Sequence, residues 1–184
     1  MFENSHVAMI YGAAGTGKTK LIEHVSSFFH KYDKLYLANT NPAISNLRSR
    51  VHTANSTFKT ISSFLNDVTS DTECDLLFID ECSTVNNSDM FKILEKSSSK
   101  LLVLVGDVFQ IESIRFGNWF GIAKSFIPPT SVFELTKPYR SNNAELLNLW
   151  DKVRNIDDDI LEYITINNYS SKLDKSIFEH SEDD

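Results

Sequence analysis

An α/β fold, with a mostly parallel sheet and helices on both faces, is predicted by three features of the sequence. Apolar runs of strand length alternate with segments of helical period. The runs are nearly continuous rather than alternating, as strands covered on both faces are. Gly12, Asn39, Asp80 and Asp107 each directly follow such a run, gathering the chemically distinctive residues at the carboxyl ends of strands, where open α/β sheets bind ligands.

The elements follow in order. Residues 7–11 (VAMIY) read as a buried strand, and 19–32 as a helix with Leu21, Ile22, Val25, Phe28 and Phe29 on one stripe. "KLYLAN", 34–39, is a second strand. Pro42 fits the first turn of a following helix, whose apolar side is Ile44, Leu47 and Val51. "ISSFLNDV", 61–68, predicts a short helix, "DLLFID", 75–80, a strand ending in acid, 89–95 a helix, and "KLLVLVGD", 100–107, another strand ending in acid. "SVFELTKPYR" supplies one more strand, and "NNAELLNLWDKVRNI" a helix with Leu146, Leu149, Trp150 and Val153 on its stripe. The segment after 157–159 (DDD) is weakly patterned and acidic at its end. There is no internal repeat, and the one biased tract is "EKSSSK".

With 184 residues, 41% of them hydrophobic, the chain can bury one substantial core and carry an appendage. The expected division is a folded domain over 1–140 and, over 141–184, a carboxyl-terminal helix followed by the start of a second domain or a linker. A net charge of −7 excludes a bulk polycation, so any nucleic-acid contact must come from a local basic or aromatic strip. Cys74 and Cys82 have neither the number nor the spacing of a disulfide framework or zinc site and read as free thiols in a reducing compartment. The amino end carries Glu3 and a five-residue apolar stretch, too short for a secretion signal or membrane span. A soluble cytoplasmic protein without membrane contact is expected.

"GAAGTGKT", residues 12–19, has the Gly-x4-Gly-Lys-Thr spacing of a phosphate-binding loop, and it lies between strand and helix. Its glycines let the backbone N–H groups of Gly12, Ala13, Ala14, Gly15, Thr16 and Gly17 curl round phosphate oxygens, helped by the helix amino end. Lys18 would reach the β and γ oxygens of a nucleoside triphosphate, and Thr19 would give its hydroxyl to Mg²⁺. The metal and the attacking water need acids at a neighbouring strand end, and "LLFIDE" supplies them. Asp80 would hold Mg²⁺ through its water shell, and Glu81 is the candidate base for water attacking the γ-phosphorus. A kinase would need an acceptor site instead, and Glu81 directly after Asp80 argues for hydrolysis. Gln110, in "GDVFQ", would sense the γ-phosphate through its amide. Arg140, in "LTKPYR", would stabilise transition-state charge there, with a plain surface arginine as the alternative.

Taken together, "GAAGTGKT", "LANTN", "TFKTISSFL", "LLFIDEC", "VGDVFQ" and "LTKPYR" resemble, in order and spacing, the first RecA-like motor domain of superfamily 1 DNA and RNA helicases. The resemblance covers residues 7 to about 155. "QIESI" is closer to the RecD and Upf-type branch, and "PYRSNN" to the UvrD and Rep branch. The resemblance implies a RecA-like P-loop NTPase fold with Lys18, Thr19 and Asp80 binding MgATP. Glu81 would be the catalytic base, Gln110 would couple hydrolysis to strand movement, and Arg140 would contact the γ-phosphate. It further implies a single-strand groove bordered by "LANTNPA" and "TFKTISSFL". Thr40, Asn41 and Thr60 would donate to phosphate there, and Lys59 would supply charge. Phe116 and Trp119 are candidate stacking platforms, with core packing as the alternative. "MFENSH" carries no counterpart of the glutamine segment that reads adenine in many relatives. The motifs of the second motor domain are absent from the sequence, so that partner is expected outside this chain. Two other readings are a P-loop ATPase switch working with a nuclease or other protein partner, without unwinding, and a nucleotide or nucleic-acid binding module.

Overall fold

The computed structural model describes residues 6–68, 72–107, 119–137 and 139. The chain divides after Lys137, and the elements below belong to the first part. Among the described residues six strands form one sheet: β1 (His6–Gly12), β2 (Lys34–Ala38), β3 (Ser56–Thr60), β4 (Thr72–Ile79), β5 (Ser97–Gly106) and β6 (Val132–Leu135). Every pairing is parallel, in the order β3-β2-β4-β5-β1-β6. β1, which ends in the glycine loop, and β4, which ends in the paired acids, therefore flank β5.

Each face of the sheet is buried by helices, which is why the strands read as continuous apolar runs. Helices α1 (Lys18–Phe28) and α2 (Asn41–Arg50) pack on one side. There Ile22, Ala43, Ile44 and Leu47 meet Ile10, Tyr36, Phe78, Val103 and Val105. Helices α3 (Ile61–Asn66), α4 (Asn87–Lys96) and α5 (Trp119–Lys124) lie on the other. Here Phe64, Met90, Ile93 and Phe120 meet Met9, Leu37, Leu77, Ile79 and Leu104. Across β3, β2 and β4, the rings of Phe58, Tyr36 and Phe78 stack with centroid spacings of 4.6 and 4.8 Å.

The helix starts have identifiable causes. Thr40 accepts a bond from the Ala43 N–H and Pro42 occupies the first turn of α2. Thr60 caps α3 and Asn86 caps α4 in the same way. The end of α1 differs from the sequence expectation. The helix stops at Phe28, not at residue 32, and Phe28 is 79% exposed rather than on the buried stripe. Ile22 and Ser26 are its fully buried positions, and Leu21, Val25 and Phe29 of the expected stripe pack against the core beside them. Past the helix end, the buried Lys34 turns its ammonium back onto the carbonyls of Phe29 (3.0 Å) and Tyr32 (2.5 Å). The Phe29 carbonyl also accepts from the Tyr32 N–H at 3.1 Å, so Lys34 is its second donor.

Strand β3 is a second correction, because the sequence reading ran from α2 directly to α3. "STFKT" is polar and half exposed, as an edge strand can be, and it lacks the continuous apolar signature of the interior strands. The remaining strands and α2, α3 and α4 fall where the periodicity places them, within three residues at each end, except that β6 stops at Leu135, well before the end of "SVFELTKPYR". The helix expected over 142–156 and the segment after it lie outside the described residues. Both cysteines are free thiols; Cys82 is buried, and burial pushes the Cys74 thiol up to about 11. Among the described residues no helix is long and apolar enough to cross a membrane.

Candidate nucleotide-binding site

The carboxyl ends of β1, β4 and β5 carry the candidate site. Gly12 ends β1 in register with Leu135 of β6. A Cβ at Gly12 would sit 2.4 Å from the Leu135 carbonyl oxygen and 2.8 Å from the Thr16 hydroxyl. Only glycine fits between the two. Gly15 and Gly17 are needed for a different reason, since their φ angles of 80° and 93° lie in the left-handed region. Thr16, buried within the loop, donates its hydroxyl to the Ala13 carbonyl at 2.8 Å and fixes the curl. Gly17 brings no side chain to the start of α1, and the first turn of that helix has no acidic residue. Its amino end therefore presents N–H groups and partial positive charge to an anion.

Lys18 opens α1 and folds over the loop, donating to the carbonyls of Gly12 (2.6 Å) and Ala13 (3.0 Å). Its ammonium is close enough to Asp80 and Glu81 to favour the charged form of both. Asp80 follows β4 and is 8% exposed. Burial raises its carboxyl above the ordinary value, opposed by the 2.9 Å bond from the Glu81 N–H and by Lys18. Burial also raises Glu81, the Asp80 charge raises it further, and Lys18 opposes. Both acids are thus held above their ordinary values by partial burial at the strand end, with Lys18 offsetting part of the shift. Asp107, buried at the end of β5, lies between the two strands.

The backbone at Glu81 is unusual: φ is 56°, left-handed for a residue with a side chain. A short 3₁₀ turn over Cys82–Thr84 follows. Thr84 donates both its N–H (2.9 Å) and its hydroxyl (2.8 Å) to the Glu81 carbonyl, and Asn39, just past β2, donates to Thr84. Neither Asn39 nor Thr84 was singled out for this from the sequence, because nothing in a linear reading pairs residues 45 apart.

The groove candidates are placed as follows. Thr40 and Asn41 are exposed at the start of α2 and Thr60 is half buried at the start of α3, all at carboxyl ends of strands. Both threonine hydroxyls already accept a capping bond, leaving their protons to donate. Lys59 is half buried and paired with Asp67 at 2.7 Å. Trp119 stands apart, at the start of α5, packed against the core with its Nε1–H bonded to the Val85 carbonyl at 2.6 Å. That environment is the core-packing alternative. Gln110, Arg140 and Phe116 lie outside the described residues.

A family model described as AAA domain matches residues 1–170. No curated protein matches the chain in sequence. Among solved structures, Pif1 helicases unwinding forked double-stranded DNA share 18% identity at a TM-score of 0.59, over 89% of this chain and 48% of theirs. Bacteroides Pif1 bound to single-stranded DNA shares 19% at 0.55, over 89% and 46%. Bacteroides Pif1 with ADP-AlF4 shares 19% at 0.54, over 86% and 45%. The chain thus spans less than half the length of each. Matching sequence over most of its length, an all-parallel sheet among the described strands and a glycine loop between β1 and α1 make this chain a member of the AAA domain family, with the RecA-like P-loop fold that it shares with the Pif1 structures.

Proposed function

We propose that this chain is the ATP-binding first motor domain of a superfamily 1 DNA or RNA helicase, with the motor over 1–140 and 141–184 leading into a second motor domain. Together the two halves would hydrolyse ATP and step along a single strand. The observation that carries the reading is the meeting of the phosphate loop with Asp80 and Glu81 at one edge of the sheet, with the Lys18 charge acting on both acids.

The residues have divisible roles. The N–H groups of residues 12–17 and the amino end of α1 would bind the triphosphate, and Lys18 would exchange its two carbonyl partners for phosphate oxygens. Mg²⁺ fits the donor set, since Thr19 and Asp80 offer oxygen only and a hard cation takes the rest from phosphate and water. When bound, it supplies charge neutralisation of the phosphates. Glu81, raised toward neutrality by burial and by Asp80, would accept a proton from the attacking water. Gln110 would report the state of the γ-phosphate, and Arg140 would stabilise its transition-state charge.

The strand would lie along the carboxyl edge, with Thr40, Asn41 and Thr60 donating to phosphates and Lys59 released from Asp67 to join them. Similarity in fold to Pif1 bound to single-stranded DNA supports this choice of partner. The packing of Trp119 favours a structural role for it, and stacking is left to Phe116. For its setting we propose a reducing, cytoplasmic compartment, a reading supported by the two free thiols.

The test is a titration of residues 1–184 with a fluorescent ATP analogue, with and without Mg²⁺, alongside turnover with and without single strands. We expect weak Mg²⁺-dependent binding, slow turnover and little strand stimulation, because half the cleft belongs to the second domain. Lys18→Ala should lose binding; Glu81→Gln should bind and not turn over. Brisk strand-stimulated hydrolysis by this chain alone contradicts the half-motor reading. Full biological activity in Glu81→Gln would favour a binding module instead.

A further inference from the structure

The Glu81 carboxylate can act as a base only if its backbone is held, and the bonds that hold it lead out of the nucleotide site. We propose that Asn39 and Thr84 are positioning residues, forming a relay through which a bound strand sets the orientation of Glu81. The proposal rests on the motor reading above and adds to it a regulatory path.

Three observations carry it. First, Glu81 sits at φ 56°, which a glutamate does not adopt without support. Thr84 supplies that support, since its N–H and hydroxyl converge on the Glu81 carbonyl at 2.9 and 2.8 Å and fix the peptide that follows the base. Second, Thr84 is itself held from β2. The Asn39 amide donates to the Thr84 carbonyl at 3.3 Å and to its hydroxyl oxygen at 3.4 Å. The hydroxyl thus donates toward Glu81 and accepts from Asn39, so the bonds run in one direction and polarise one another. Third, Asn39 is covalently next to Thr40 and two residues from the first turn of α2, on the edge assigned to the strand.

The bond lengths indicate where movement is taken up. The Thr84–Glu81 contacts are short and the Asn39–Thr84 contacts are long. A phosphate drawing Thr40 and Asn41 therefore alters the Asn39 contacts first, and Thr84 passes the change to Glu81. Strand occupancy is read at Asn39 and expressed as the aim of the base.

A double-mutant cycle in the full-length protein, paired with its second motor domain, tests this. The reads are the ratio of turnover with saturating single strand to turnover without it, and nucleotide affinity in parallel. Asn39→Ala and Thr84→Val should each lower the ratio by about tenfold, the scale of a mispositioned base. Nucleotide affinity should stay within about twofold, since neither side chain belongs to the loop. The double variant should be no worse than Thr84→Val alone, because both changes cut one path. Thr84→Ser, which keeps the hydroxyl, should keep the ratio and guards against a mere folding defect. An unchanged ratio in the single variants, or independent multiplying losses, or Thr84→Ser behaving like Thr84→Val, overturns the relay and leaves the motor reading standing. A wild-type protein with no strand-stimulated turnover overturns the motor reading and the relay with it.

Discussion

Gly12→Ala offers the sharpest structural prediction, because the contact that forbids it is with backbone. The added methyl would lie 2.4 Å from the Leu135 carbonyl oxygen and 3.0 Å from the Leu135 Cβ. A carbon rests against a carbonyl oxygen at about 3.3 Å or more, so β6 would have to retreat by about 1 Å. Four residues of β6 pair with β1 and with nothing else in the sheet, so the ladder itself would open. Overpacking of this kind costs about 1–3 kcal/mol. For a domain of this size that lowers Tm by about 3–10 °C. The Thr16 hydroxyl, 2.8 Å from the new methyl, would be displaced from Ala13, so nucleotide affinity should fall as well. Gly17→Ala is the informative control. Nothing lies within 4 Å of its Cβ position, but φ is +93°, so its cost of about 1–2 kcal/mol is conformational. Asparagine, which tolerates left-handed backbone, should therefore recover part of the loss at position 17 and none at position 12. Thermal melts of the four variants, with a fluorescent nucleotide titration, decide it. A Gly12→Ala protein that melts with the wild type and binds equally well would refute the clash.

Other substitutions probe the acids and the packing. The Asp80 carboxyl is raised by burial, so the native state holds its proton more tightly than the unfolded chain does. Its contribution to stability is complete below the unfolded value and is lost as pH rises through the raised one. Asp80→Asn should accordingly raise the Tm of the nucleotide-free protein at pH 7, by about 2–4 °C for each kcal/mol gained, and should reduce the further gain from MgATP; a lower Tm without nucleotide would contradict this. Because Glu81 is raised by burial and by Asp80, the acid limb of the turnover profile should lie above that of an ordinary glutamate. Glu81→Gln should lower turnover by about 10²–10⁴-fold. Lys34→Met should destabilise by about 1–3 kcal/mol, since two carbonyls past α1 lose a buried donor. Trp119→Phe should cost about 1 kcal/mol through the lost bond to Val85 and leave strand affinity unchanged; a large drop in strand affinity with unchanged Tm would restore the stacking role.

The interior of the fold was legible because it obeys one rule. Strands β1, β2, β4 and β5 are buried on both faces and read as apolar runs, and each runs into one of the residues that the sequence marks as distinctive, Gly12, Asn39, Asp80 and Asp107. The site inherited that clarity, since Lys18, Asp80 and Glu81 sit in short local patterns. What escaped has a common cause in long-range context. β3 is an edge strand whose polar sequence carries no burial signal, and α1 stops at Phe28 although the apolar pattern runs on to Phe29. The positive φ of Glu81 and its link through Thr84 to Asn39 depend on β2 and β4 being neighbours. That is a fact of topology rather than of spacing.

The central claim is that the glycine loop and the two acids share one magnesium triphosphate. A crystal structure with Mg²⁺ and a nonhydrolysable ATP analogue tests it most directly. The prediction is that Lys18 leaves the Gly12 and Ala13 carbonyls for phosphate oxygens, that Thr19 and Asp80 face the metal, and that Glu81 faces the γ-phosphate. A triphosphate bound elsewhere, or one bound in the loop with Asp80 and Glu81 turned away from it, would contradict the account.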